Sequence, residues 1–417
     1  MLNYWLLIVI LISGIILGVL TYFIISKGAI SNSQEKELSI KDPSLKLELV
    51  AQGLAYPTAM AFLGPQDILV LENQKSTVER VVNGVVLTHP LLSVNVSKSV
   101  DKCMCGIAID SYTNSSKYVF LYYTESDGKL PPGDRLYRYQ WINDSLLNSK
   151  LLMDIPATAN HSERHAGGAI LIDPKNKSNV YLSTGNDNGL HGTLAQNEVN
   201  GKPVDGTSGI LKMNIDGKPT QVEGILGTNY PLKLYYAYGV RNSYGLDIDP
   251  VTGNLWDTEN GPDYGDEINL VEPGFNSGSD KIYGFAPSSD SLDGLVNFGG
   301  KGKYSDPELE WGNSLGPTAI KFLTSDKLGR DYQNDMFVAD VIYGRIYHFD
   351  LNKARTELVL KGPLADKKSD TDKEGELQDI IFATIPGGVT DLKVSPYDGY
   401  LYLVAYGQGK IFKIVPS

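Results

Sequence analysis

Residues 390–415 read TDLKVSPYDGYLYLVAYGQGKIFKIV. Apolar and polar residues alternate, and the alternation is broken at Ser-Pro-Tyr-Asp-Gly and again at Gly-Gln-Gly. The stretch therefore reads as three short strands joined by tight turns. The same unit recurs upstream. It begins at Ala59 (AMAFLGPQDILVLENQKSTVERVV), Gly106 (GIAIDSYTNSSKYVFLYYT), Gly168 (GAILIDPKNKSNVYLSTG), Gly245 (GLDIDPVTGNLWDTE) and Thr318 (TAIKFLTSDKLGRDYQNDMFVADVIYGRIYHFDL). No copy carries an amphipathic helix. A sheet of three or four strands cannot bury both faces alone, so copies of this kind pack radially around a channel. The expectation is an all-β, six-bladed β-propeller, with a sandwich pair or a solenoid as the competing folds. LKLELV at 45–50 precedes the first copy, and pairing it with the last strand would close the ring and remove two exposed edges.

The chain has 417 residues, with Lys+Arg 37 against Asp+Glu 49 and a net charge of −12. That balance argues against a nucleic-acid partner, because phosphate neutralisation needs surplus Lys and Arg. Two cysteines, Cys103 and Cys105, exclude a four-Cys zinc site. One residue apart on a strand, they read as a buried thiol pair.

Residues 5–25 (WLLIVILISGIILGVLTYFII) carry no charge, and about 20 such residues span a bilayer as a helix. The organisation expected is an N-terminal transmembrane anchor at 1–27 (or an uncleaved signal), a polar tether at 28–43 and the propeller at 44–417. A cleaved signal peptide competes, but no basic region precedes the run and no A-x-A site follows. Five N-x-S sequons, at Asn95, Asn114, Asn143, Asn160 and Asn176, fit a membrane-anchored protein with its propeller on the extracytoplasmic side.

Propellers place ligands on the loops at the channel mouth. NHSERHAGG (160–168) puts His165 before a glycine pair as a candidate general base. The His161/His165 spacing would suit a metal only on a helix, which this stretch does not resemble. YGVRNSYG (238–245) offers Arg241 as a cationic fork for an anionic or quinone oxygen. TENGPDYGDEIN (258–269) sets carboxylates among Gly and Pro, as hard cations require. Gly312-Asn313-Ser314-Leu315-Gly316 matches a nucleophile elbow in letters only, since no helix follows.

Residues 239–278, GVRNSYGLDIDPVTGNLWDTENGPDYGDEINLVEPGFNSG, follow the order G-(H/V)-R-N-P-Q-G, E-x-G-P-x-x-x-D-E-(I/V)-N, P-G-x-N-Y-G. This run resembles the glucose/sorbosone dehydrogenase family, and with HAGG, STGN and DGYLYLV the resemblance extends from about Leu54 to Val415. It implies a six-bladed propeller that binds pyrroloquinoline quinone (PQQ) with Ca²⁺ and oxidises an aldose or related sugar, electrons passing to an external acceptor. It implies His165 as catalytic base and Arg241 as stabiliser of the reduced quinone oxygen. His165, Arg241, Asn242 and Asn260 would hold the cofactor. The carbonyls of Gly261 and Pro262 would bind its Ca²⁺, and Glu267 with the segment at Ser277 a second Ca²⁺. The chain departs from the family pattern at Ala169, Gly388 and Thr390 (arginines in the family), at Ile342 (lysine), at Asp101 (glutamine) and at Ser277 (tyrosine). Asn186 stands where the family has the Asp of a T-G-D motif, with Asp187 beside it as the expected catalytic replacement. Arg164, Lys301, Lys303 and Arg345 are candidates to restore the missing positive charge. Two other readings stay open: a non-catalytic Ca²⁺ propeller that binds a glycan or protein, and a metal-dependent lactonase using Asn186, Asp187 and Asn260.

Overall fold

The alternating stretch folds into antiparallel strands Val389–Val394, Leu401–Ala405 and Lys410–Pro416, with Val394 opposite Leu401 and Ala405 opposite Lys410. The turn closes where Gly399 N donates to Ser395 O at 2.9 Å. Gly399 sits at φ +77°, a conformation that costs a glycine little. Strand Leu45–Gln52 completes this sheet by pairing with Lys410–Pro416, Leu45 opposite Pro416 and Gln52 opposite Lys410.

The structure is a computed structural model and describes residues 37–96, 104–113, 116–126, 133–156, 165–189, 191–369 and 375–417. Residues 39–417 form one compact unit. Its strands group into six sheets of four to six strands. The inner strands are Pro57–Gly64, Met104–Thr113, Gly167–Ile172, Ser243–Ile248, Pro317–Phe322 and Val389–Val394. Each packs beside the next, and the last packs beside the first.

Apolar clusters fill the seams between neighbouring sheets. Leu392, Leu403 and Phe412 meet Phe337 and Ile346 in one seam; Val404 and Ile411 meet Met60, Ile68 and Val70 in the next. Full burial of side chains of this size stabilises by about 1.5–3 kcal/mol each. Polar groups stitch the same seams. Thr58 Oγ1 donates to Met104 O (2.6 Å), Thr318 Oγ1 to Val389 O (2.6 Å) and Thr390 Oγ1 to Pro57 O (2.9 Å). Asp391 Oδ2 accepts from Met60 N at 2.8 Å, and Asp247 Oδ2 from Phe322 N at 2.8 Å.

The expected fold, six like blades behind an N-terminal transmembrane helix, is corrected. The sheets are not copies of one unit, because several take short strands from elsewhere in the chain. Phe275–Asn276 and Lys303–Tyr304 extend the third sheet in parallel, and Lys368–Ser369 extends the fourth. Ser39–Ile40, expected in a tether, pairs with Ile381–Thr384. Among the described residues no helix is long and apolar enough to cross a membrane; the helices there are 3₁₀ turns of three to five residues. The transmembrane helix and, with it, the membrane-anchored placement are therefore not supported by the structure. Residues 5–25, on which both rested, lie outside the described residues.

Candidate active site

The starts of the inner strands and the loops beside them enclose a cavity of about 480 Å³, within the range of roughly 300–1,000 Å³ usual for small-molecule sites. His165, Arg241, Asn242, Asn260, Gly261 and Pro262 all line it. The local chain explains their convergence. His165 lies two residues before one inner strand, Arg241 and Asn242 directly precede the next, and Asn260 directly follows the strand Leu255–Glu259. Backbone bonds tie these loops together through the turn at 186–187: Asp187 N donates to His165 O at 3.3 Å, Asn186 N to Arg241 O at 2.8 Å and Asn260 N to Asn242 O at 2.9 Å. Gly185 is required here, since a Cβ on it would lie 1.9 Å from His165 O.

Asn186 Oδ1 lies 2.8 Å from His165 Nδ1 and accepts from Asn188 N at 3.0 Å, while its Nδ2 donates to Asp280 Oδ1 at 2.6 Å. These partners set the amide's orientation, so His165 Nδ1 carries the proton and donates. Nε2 keeps its lone pair, and Arg241 Nη2 lies 3.0 Å away as donor. Arg241 Nη1 donates to Gly261 O at 2.6 Å and Asn260 O at 2.9 Å, and its backbone N–H to Glu259 Oε1 at 2.6 Å. Burial lowers the guanidinium's pKa, with Tyr283, Glu259, Asp266 and Asp280 pulling upward.

Asn242 and Asn260 are tied to the scaffold. Asn242 Oδ1 accepts from Gly167 N at 3.2 Å, and Asn260 Nδ2 donates to Pro317 O at 2.8 Å. Asp266 shapes the Gly261 loop, accepting from Gly261 N (2.8 Å), Leu315 N (2.7 Å) and Gly316 N (2.9 Å), and from Ser314 Oγ. Burial raises its carboxyl pKa and these donors oppose the rise. Ser314 in the G-x-S-x-G match thus serves as a donor to Asp266.

Glu267 and Ser277 lie outside the cavity lining, in a buried cluster with Glu259, Asp257 and Asn269. Ser277 Oγ is 2.7 Å from Glu259 Oε2 and 3.3 Å from Glu267 Oε2; Asn269 Nδ2 donates to Glu267 Oε2 at 3.0 Å. Asp187, expected to be catalytic, does not line the cavity either. It has φ 48°, and its Oδ2 meets His191 Nε2 at 2.8 Å. Asn186 is the residue that orients His165.

Of the departures, Ala169 and Thr390 line the cavity. Ile342 is 58% exposed. Asp101, His161 and Arg164 lie outside the described residues. Lys301, Lys303 and Arg345 do not reach the cavity, whereas Lys393 does, with Nζ 3.2 Å from Asp391 Oδ1. Sequence reasoning missed Lys393, although period two along Val389–Val394 places it on the face of Asp391. Cys105, also at the cavity wall, is disulfide-bonded, which corrects the thiol-pair expectation.

The model of the Glucose / Sorbosone dehydrogenase family matches residues 54–411. Aldose sugar dehydrogenase YliI of Escherichia coli is 21% identical over 385 residues, covering 89% of this chain and 93% of that protein. Quinoprotein glucose dehydrogenase B of Acinetobacter calcoaceticus is 28% identical over 204 residues, 45% of this chain and 41% of that one. The PQQ-bound aldose sugar dehydrogenase of Streptomyces coelicolor superposes with a TM-score of 0.64 at 22% identity, covering 90% of this chain and 99% of that one. With the family model spanning most of its length, this chain belongs to the glucose/sorbosone dehydrogenase family of oxidoreductases.

Proposed function

We propose that this chain oxidises an aldose or related sugar with PQQ and passes the electrons to an external acceptor. The observation that carries the reading is His165, which lines a ligand-sized cavity with its Nδ1–H held by Asn186 and its Nε2 lone pair met by Arg241 Nη2. PQQ, when bound, supplies the two-electron acceptor. His165 Nε2 takes the proton of the sugar C1 hydroxyl. Asn186 holds the required tautomer throughout, and Arg241 places positive charge where oxygen gains negative charge. The donor set fits an anionic quinone: among the described residues Arg241 and Lys393 are the cationic side chains lining the cavity, and Asn242 adds an amide. The names of the Acinetobacter and Streptomyces relatives support the cofactor assignment. The cofactor's Ca²⁺ is a different matter. Gly261 O already accepts from Arg241 at 2.6 Å, so that carbonyl does not fit the ion as arranged, and no step is assigned to calcium.

The test is titration of the full chain with PQQ, followed by absorbance, then reduction of a dye acceptor with a panel of aldoses. Saturable binding and turnover abolished in His165→Ala are expected. Absence of quinone binding at high concentration would sink the reading. Alanine and threonine at 169 and 390, in place of arginines, favour the non-catalytic glycan-binding alternative; sugar binding without dye reduction would establish it.

A further inference from the structure

We propose that the Arg241 guanidinium itself occupies the cation position of the cofactor pocket, so that Arg241 and a divalent ion exclude one another at the Gly261 carbonyl. The inference rests on the reading of the Gly261–Pro262 carbonyls as the cofactor-side ion site. A hard cation such as Ca²⁺ needs oxygen ligands at about 2.3–2.6 Å. Nη1 sits 2.6 Å from Gly261 O and 2.9 Å from Asn260 O, bridging two successive carbonyls. An ion on Gly261 O would share that oxygen with a guanidinium nitrogen at contact distance, setting a divalent against a monovalent charge.

Both sides of the contact are held. Arg241 is fixed through its backbone N–H on Glu259 Oε1 and through Nη2 on His165 Nε2. The carbonyl side is held by Gly261 N on Asp266 Oδ1, and Tyr264 O packs against Gly261 so closely that a Cβ there would meet it at 1.9 Å. Charge points the same way. Among the described residues the one carboxylate lining the cavity is Asp391, paired with Lys393, so none of the described acidic side chains there is left unpaired to favour a dication over the built-in monocation. The guanidinium supplies a fixed positive charge to an anionic ligand with no ion to be captured or lost.

The experiment counts calcium bound per full-length chain by equilibrium dialysis at about 1 mM free ion, the weak end of protein calcium sites, with and without PQQ. Wild type, Arg241→Gln and Arg241→Lys are compared. The buried Glu267 cluster contributes equally to all three, so the difference isolates the Gly261 locus. Arg241→Gln is expected to bind one more ion than wild type. Arg241→Lys, which keeps the charge, is expected to match wild type and, with unchanged melting temperature, controls for folding. Equal counts in wild type and Arg241→Gln, under both conditions, would overturn the inference. Failure of PQQ to bind any variant would instead refute the proposed function, and the ion count without PQQ would still decide this one.

Discussion

The sharpest test of the fold behind the site is the pH dependence of its buried carboxyls. Asp257, Glu259 and Glu267 are all buried. Glu259 lies opposite Glu267 and Asp257 opposite Asn269 in the strand pair. Burial pushes Asp257 up to about 7. Burial, with Asp257 adding repulsion, pushes Glu259 up to about 8, and burial with repulsion from Glu259 raises Glu267 well above its usual value. A carboxyl whose folded pKa is raised stabilises the fold fully below its unfolded value of about 3.9, and that stability is lost as pH climbs through the folded value. For Asp257 the span is roughly three units, worth about 4 kcal/mol at 1.36 kcal/mol per unit.

Asp257→Asn cannot titrate, so it should lack this loss and exceed wild type at pH 8 by up to about 4 kcal/mol. For the unit of residues 39–417, an unfolding entropy of about 2.1 cal/mol/K per residue converts that to about 5 °C in Tm. Calorimetry from pH 5 to 8 in chelator should show wild-type Tm falling against a flatter Asp257→Asn curve. Parallel curves would refute the reasoning. The three acids interact, so Glu259→Gln should also shift the Asp257 step rather than add to it. If Glu267 and Ser277 hold a calcium ion, adding calcium at pH 8 should raise wild-type Tm and flatten its slope, because the ion stabilises the ionised carboxylates.

Asn186→Leu removes the acceptor of His165 Nδ1–H and should lower kcat about 10²-fold or more with little change in KM, separated by steady-state kinetics; a change confined to KM would contradict a tautomer-setting role. Lys393→Gln deletes a cation from the cavity wall and should weaken PQQ binding about 10- to 100-fold, the equivalent of one charge-assisted bond, read by absorbance titration. Asp266→Asn turns an amide NH₂ toward donors that now meet a carboxylate. It should cost about 2–4 kcal/mol, visible as a lower denaturation midpoint; an unchanged midpoint would remove Asp266 from its scaffolding role.

What the sequence made legible follows from what repeats. Period-two alternation marked the inner strands because each faces a packed seam on one side. The two-residue parallel strands, such as Phe275–Asn276 against Tyr235–Tyr238 and Lys368–Ser369 against Leu309–Trp311, are too short to carry a period, and their partners are set by tertiary packing. The Pro-Thr-Ala starts at 57–59 and 317–319 are a visible signal whose meaning is tertiary: the threonine hydroxyl reaches the neighbouring sheet. At the site, Arg241, Asn242 and Gly261 were readable from one long run. Choosing between Asn186 and Asp187 was not, because positive φ at Asp187 and Asn188 turns the carboxylate toward His191, and adjacent letters do not encode that turn.

The arrangement around His165 imposes an order on any proton transfer. Nε2 is the one ring nitrogen with a lone pair, and Arg241 Nη2 is already donating to it. A sugar hydroxyl can hand over its proton only by displacing that donor and taking its place within about 2.6–3.2 Å. The displaced Nη2 is then free to donate to an oxygen acquiring negative charge, while Nη1 stays on the carbonyls of Asn260 and Gly261. Base and electrophile are thus released by the same exchange. Arg241→Lys separates the two functions, since an ammonium cannot bridge two carbonyls and reach Nε2 in one plane as the guanidinium fork does. If the exchange governs turnover, Arg241→Lys should retain quinone affinity within a few-fold and lose most of kcat; equal losses in both would make Arg241 only a binding group.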